Sequence, residues 1–166
     1  ARQFAGELAE AGFVVASGLA RGIDGAAHRA ALGGGTIGVI ASGIDIAYPP
    51  EHAELQEAVA TQGLLLAEQP PQTEPLARHF PSRNRIMAAM ADAVLMVEAA
   101  DKSGTLITAR LAGEYGKEQL CIPHRIGDSN GYGAELYIRN GATLISKSEH
   151  ILEALHLSYD TPIPKG

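Results

Sequence analysis

The sequence predicts an α/β domain built on a mainly parallel, doubly wound sheet. Short apolar segments rich in Val, Ile and Leu alternate with helix-length amphipathic ones. The apolar segments are continuous rather than alternating, the pattern of strands covered on both faces. Each is followed by a small-residue turn and then a helix start, as in a chain that crosses over repeatedly to a parallel neighbour.

The elements follow in order. A first helix over 1–11 places Phe4, Leu8 and Ala11 on one face and stops at Gly12. A strand covers 13–16, and a helix over 25–32, with Asp24 as its cap, ends at Gly33-Gly34-Gly35. The next strand is 36–42. A helix over 51–61 is entered through Pro49-Pro50, and the strand 64–67 follows. Residues 69–81 carry four prolines and read as a loop. Then come a helix over 83–91, a strand over 93–98, a helix from Ser103 to Tyr115 and a strand over 120–123. A loop of Gly, Asp, Ser and Asn over 127–133 leads to a short helix and the strand 142–145. Ser148 can cap a last helix through Leu155, and 158–166 is a tail. One domain over 1–157 is expected, with no internal repeat. Such sheets open with a strand, whereas this sequence opens in a helix, so a preceding strand and its loop are expected upstream.

The bulk numbers narrow the function. The chain has 166 residues, of which 46% are hydrophobic and 19% charged, an ordinary globular composition. No apolar run approaches the roughly 20 residues that span a bilayer, and 1–4 does not read as a secretory signal. The lone Cys121 excludes an internal disulfide and sits in a strand, where packing outweighs reactivity. The net charge of −6 argues against a protein that coats nucleic acid over its whole surface. It leaves room for a local cationic groove: Arg78, Arg83 and Arg85 fall in eight residues without a carboxylate, while Glu51, Glu54 and Glu57 lie elsewhere.

Ligands of open α/β sheets bind beyond the carboxyl ends of the strands, and four loops belong there. Ser17-Gly18-Leu19-Ala20-Arg21-Gly22-Ile23-Asp24 joins a strand to a helix through small residues. Its amides and helix dipole suit a phosphate, and a plain turn capped by Asp24 is the alternative. The spacing is not G-x-G-x-x-G, so no dinucleotide fingerprint is present. The second loop, 42–52, is a rigid turn in which Tyr48 stacks or, more simply, packs, and His52 lacks a partner at metal-ligand spacing. The third holds Phe80, Arg83, Asn84 and Arg85, an aromatic face beside guanidinium groups, which suits unpaired bases and their phosphates. On a helix Arg83 and Asn84 point to different sides, so Asn84 or Arg85 could instead tie loops together. The fourth, Lys102-Ser103-Gly104-Thr105, repeats the strand-to-helix logic of the first, with a Ser-capped helix as the alternative. It is not a P-loop. No nucleophile triad, paired acids or metal cluster is visible.

Taken together, Ser17 to Asp24 followed by Ala27-His28, Gly43-Ile44-Asp45 with Tyr48-Pro49-Pro50-Glu51-His52, Phe80-Pro81-Ser82-Arg83-Asn84-Arg85-Ile86, and Glu98 to Thr105 with Thr108-Ala109-Arg110 closely resemble the DNA-processing protein A family, DprA or Smf. The likeness runs from about Phe4 to Leu155. It implies an extended Rossmann-like fold that binds single-stranded DNA, helps load the RecA recombinase and protects incoming DNA in natural transformation. It also implies a cytoplasmic homodimer without enzymatic turnover, metal or cofactor. The contacts it implies are Ser17, Gly18, Phe80, Arg83, Asn84, Ser103, Gly104 and Thr105; the loop and charge readings above add Arg21, Gly22, Arg78 and Lys102 as expected contacts. Asp24, Arg85 and Glu98 are assigned to bracing. The family's Gly-Ser-Arg-type loop would precede Ala1. Arg78 stands near the place of a frequent family lysine, and Gly131-Tyr132-Gly133-Ala134 departs from the family pattern. A different class, a nucleotide or cytokinin-type phosphoribohydrolase, would use similar corners with Glu98 as catalytic acid, but its Pro-Gly-Gly is replaced here by Asp101-Lys102-Ser103.

Overall fold

The protein is described as a computed structural model over residues 1–157; the predicted tail 158–166 lies outside the described residues. The fold is α/β with every strand pairing parallel, as the sequence predicts. Among the described residues the six strands pair as two three-stranded sheets, and the chain divides into two compact units at Arg83 and Asn84.

The first unit begins with α1 (Arg2–Glu10), then β1 (Val15–Ser17), α2 (Ile23–Ala31), β2 (Thr36–Ile40), α3 (Ala53–Gln62) and β3 (Leu64–Ala67). Its sheet order is β1-β2-β3. Only central β2 is nearly covered throughout, whereas the outer strands β1 and β3 carry exposed positions such as Leu64, so the expectation of strands buried along their whole length holds for the middle of the sheet. Leu19, Ile40, Leu55 and Val59 form the core, with Leu65 and Ala67 packed against it. Burying each such aliphatic side chain contributes about 1.5–3 kcal/mol.

Helix α4 (His79–Met90) begins four residues earlier than the sequence suggested. Pro81 is tolerated there because the first turn has no intrahelical acceptor for its missing N–H. The shift puts Phe80 and Arg83 three residues apart on one helical face.

The second unit contains β4 (Ala93–Met96), α5 (Gly104–Glu114), β5 (Glu118–Cys121), α6 (Tyr132–Arg139), β6 (Thr143–Leu144) and α7 (Ser148–Ala154), with sheet order β4-β5-β6. Met96, Ala99, Ala109, Cys121 and Ala134 make its core. Gly133 lets α6 approach this core closely: a Cβ there would stand 2.5 Å from Ala99 Cβ and 2.7 Å from Met96 Sδ. Cys121 is fully buried, and burial pushes its thiol up to about 11, in keeping with a packing role. Two predicted caps differ. Asp24 lies inside the first turn of α2, behind Gly22 as N-cap, and its carboxylate reaches back into the preceding loop. Ser148 is the first residue of α7, behind Lys147 as N-cap.

Candidate nucleic-acid interface

In the first unit the loop after β1 is held by side chains that converge on its backbone. The N–H groups of Gly18 and Ala20 both donate to Asp24 Oδ2, at 2.9 and 3.3 Å. The Gly18 carbonyl accepts from Arg83 Nη1 at 2.8 Å, and the same nitrogen donates to the Val39 carbonyl at 3.0 Å. Leu19 is gripped at both ends: its N–H donates to His28 Nε2 (3.3 Å), and its carbonyl accepts from His52 Nδ1 (2.7 Å). The Ala20 carbonyl accepts from the Gly25 N–H. All six backbone polar groups of residues 18–20 are therefore engaged. Leu19 sits at φ 60°, a conformation that costs a non-glycine residue roughly 1–2 kcal/mol. Its full burial in the core and its two histidine bonds offset that cost.

The histidine network fixes a tautomer. His28 Nε2 accepts from Leu19, so Nδ1 carries the proton and donates to Thr36 Oγ1 (2.8 Å), which in turn donates to the Val15 carbonyl (2.8 Å). The ring is fully buried, and burial lowers its pKa to about 4, against an opposing pull from Asp24. It is neutral near pH 7.

This geometry changes what the loop offers a ligand. The amides of Gly18 and Ala20, which the sequence suggested for a phosphate, are committed to Asp24. Arg83, expected as a phosphate contact, is 8% exposed and spends one guanidinium nitrogen on two carbonyls. Its guanidinium lies 5.4 Å from the Phe80 ring centre. Burial lowers its pKa, partly countered by Asp24. Tyr48 does pack, as favoured, but against Phe80 (ring centres 5.7 Å apart, planes at 60°) and with 38% of its surface exposed. Arg78 is exposed, and Gly22 is an exposed N-cap at φ 80°. Arg21 is exposed and forks onto Glu51. Ser17 closes β1, half-buried.

In the second unit Asn84 Nδ2 donates to the Gly104 carbonyl at 3.3 Å, tying α4 to the start of α5. Lys102 is exposed at φ 63°, and Ser103 is the N-cap of α5 without a side-chain cap bond. Among the described residues Ser103 Oγ is the one buried side-chain polar atom without a hydrogen-bond partner. Gly104 is exposed and Thr105 half-buried. Arg85 and Glu98 are exposed. The 127–133 loop, unusual in sequence, is stitched to the end of β4. His124 contacts the Val97 carbonyl at 2.7 Å and Asp128 Oδ2 at 3.2 Å, Asp128 accepts from the Asn130 N–H, and Ala99 bonds both Asn130 and Gly133.

His28 and His52 are the supporting residues that sequence reasoning passed over as functional. A signal existed for one of them: Asp24 and His28 stand four apart on α2 and so share the face turned to the loop.

The protein-family model for DNA recombination-mediator protein A matches residues 1–156. The chain is 44% identical to Protein Smf of Escherichia coli over 97% of its own length and 45% of that protein's. It is 42% identical to DNA processing protein DprA of Bacillus subtilis, covering 90% of this chain and 51% of the relative. The chain thus spans about half the length of the curated relatives it matches. Among solved structures, DNA processing protein A from Streptococcus pneumoniae superposes with a TM-score of 0.82 at 39% identity, over 92% of this chain and 57% of that one. The protein from Helicobacter pylori, solved for its single-stranded DNA binding mode, superposes with a TM-score of 0.84 at 35% identity, over 93% of this chain and 71% of that one. On the extent of the family match and these identities, the chain belongs to the DNA recombination-mediator protein A family.

Proposed function

We propose that this chain is a single-stranded DNA-binding element of a protein that handles DNA in transformation and recombination, without catalytic turnover. The observation that carries this reading is the packing of Tyr48 on Phe80 in the first unit, with Arg21 near Tyr48 and with Arg78 exposed two residues before Phe80 in sequence. Two partly exposed rings offer faces to unpaired bases, and the exposed guanidiniums offer charge to the backbone. Arg83 acts beneath this surface by fixing the loop at Gly18. In the second unit the Lys102-Ser103-Gly104-Thr105 turn, with Asn84 behind it, supplies further backbone contacts, and Ser103 Oγ has hydrogen-bonding capacity to give. The whole protein, on this reading, works as a cytoplasmic homodimer and helps load the RecA recombinase.

The test is anisotropy titration of a labelled oligothymidine at several salt concentrations, with wild type and Phe80→Ala. Stacking is worth about 1–3 kcal/mol per base, so the variant should bind roughly 5- to 150-fold more weakly. Wild-type affinity should fall with a log–log slope of about −0.7 per neutralised phosphate. Unchanged affinity in Phe80→Ala, together with a flat salt response, would remove the reading. Release of free base from a nucleoside monophosphate would replace it with an enzymatic one.

A further inference from the structure

Arg21 is the exposed cation nearest in sequence to the braced loop, yet its charge is not idle. Its Nε and Nη2 donate to the two carboxylate oxygens of Glu51, the second of these bonds at 3.1 Å. Both side chains are more than half exposed, and they lie thirty residues apart in sequence. Glu51 comes from the 3-10 turn Pro50–His52, whose His52 grips Leu19. The turn that supports the loop from below thus also delivers a carboxylate to its outer side. Tyr48, packed on Phe80, lies near enough to Arg21 to add, after Glu51, to the pull that raises the guanidinium's pKa. One connected surface runs from the Phe80 ring through Tyr48 and Arg21 to Glu51.

A guanidinium fork fits two oxygens of a carboxylate or of a phosphodiester in the same way. Glu51 therefore occupies on Arg21 the position that a backbone phosphate would take. We propose that Glu51 is an internal phosphate mimic that gates Arg21, so that a nucleic-acid backbone engages this surface only by exchanging with the Glu51 carboxylate. The inference rests on the single-stranded DNA reading given above. It has two physical consequences. An anion that cannot also place bases on Tyr48 and Phe80 competes poorly with a tethered carboxylate, so the gate favours backbones with unpaired bases over free phosphate. The Glu51 carboxylate released by the exchange recruits a cation from solution, which cancels part of the counterion release from DNA and flattens the salt dependence.

The experiment compares wild type, Glu51→Gln, Arg21→Gln and the double variant, by anisotropy of labelled oligothymidine across a potassium chloride series. Thermal unfolding confirms that each is folded, which the exposure of both side chains favours. Glu51→Gln should tighten binding roughly two- to five-fold, the range of an exposed ion pair, and steepen the log–log slope by up to about 0.7. Arg21→Gln should weaken binding. In that background Glu51→Gln should change affinity by less than about two-fold, because the gate acts through Arg21. Equal tightening in both backgrounds would mean that Glu51 merely repels the backbone, and would overturn the exchange. No tightening in Glu51→Gln, with wild type binding normally, would overturn it too while leaving the DNA reading intact. Absence of binding by every protein in the series would end both.

Discussion

Arg83 Nη1 lies 2.8 Å from the carbonyl oxygen of Gly18, and the space between them excludes a side chain: a Cβ on Gly18 would stand 2.4 Å from that nitrogen. Glycine at 18 and arginine at 83 are thus one device. The glycine admits the guanidinium to the backbone, and the guanidinium fixes the loop after β1 against the end of β2 at Val39. An arginine that sits beside an aromatic in a DNA-binding family invites assignment as a phosphate contact. Here its Nη1 bonds go to the carbonyls of Gly18 and Val39.

Salt dependence separates these two roles. If Arg83 braces the loop, Arg83→Gln weakens oligothymidine binding and lowers stability by about 1–3 kcal/mol, since two buried carbonyls lose a charged donor. The log–log salt slope then stays at the wild-type value. A phosphate contact would instead cost about 0.7 of slope with little loss of stability. Gly18→Ala should reproduce the stability loss without altering any charge. Denaturant titration and salt-series binding on the two variants give both readouts.

The same residues explain how far sequence reading reaches. The alternation of short apolar runs with helix-length segments placed the helices and strands, although burial along the whole strand, the reason for expecting continuous apolar runs, holds only for central β2. The ends of elements moved where long-range contacts decide them. Pro81 stands inside the first turn of α4, and Asp24 bonds the Gly18 and Ala20 amides of the loop before it rather than capping its own helix. The chemistry of the rim was legible as residue types, Phe80 beside arginines, but not as roles. Whether a guanidinium faces solvent or two carbonyls depends on Gly18 and Val39, 65 and 44 residues away from Arg83. Burial of His28 depends likewise on Thr36 and Leu19 closing over it.

Stability should carry the signature of His28. Its folded pKa, about 4, lies below the unfolded value of roughly 6.5. The unfolded chain therefore binds the proton first as pH falls. The contribution of neutral His28 is fully present above pH 6.5 or so and is lost progressively down to about pH 4, a difference of roughly 3 kcal/mol. Gln at this position can still accept from Leu19 but does not titrate. Wild type should be more stable than His28→Gln at pH 7.5, and the gap should narrow by about that amount at pH 4. Urea unfolding at four pH values tests it; a gap that stays constant with pH would show that His28 does not titrate between the two states.

His124 should behave with the opposite sign. Its bond to the Val97 carbonyl, followed by its contact with Asp128, raises its pKa above the ordinary histidine value, with Glu98 adding to the pull. The charged ring donates from Nε2 to Val97 and from Nδ1 to Asp128, whereas the neutral ring keeps only one proton and must face one acceptor with a lone pair. The stabilisation is fully present below pH 6.5 and disappears as pH rises through the folded pKa. Asp128 also anchors the Asn130 N–H, so loss of the charged ring loosens a loop that bonds Ala99. Proton NMR titration of the His124 ring should give a pKa above 6.5, and Asp128→Asn should lower it. Hydrogen exchange at the Ala99 and Gly133 amides, corrected for intrinsic rates, should quicken from pH 6 to pH 8 in wild type and change little in His124→Gln. A ring that titrates at or below the unfolded value, or protection indifferent to pH in wild type, would show that this loop is held by its backbone bonds alone.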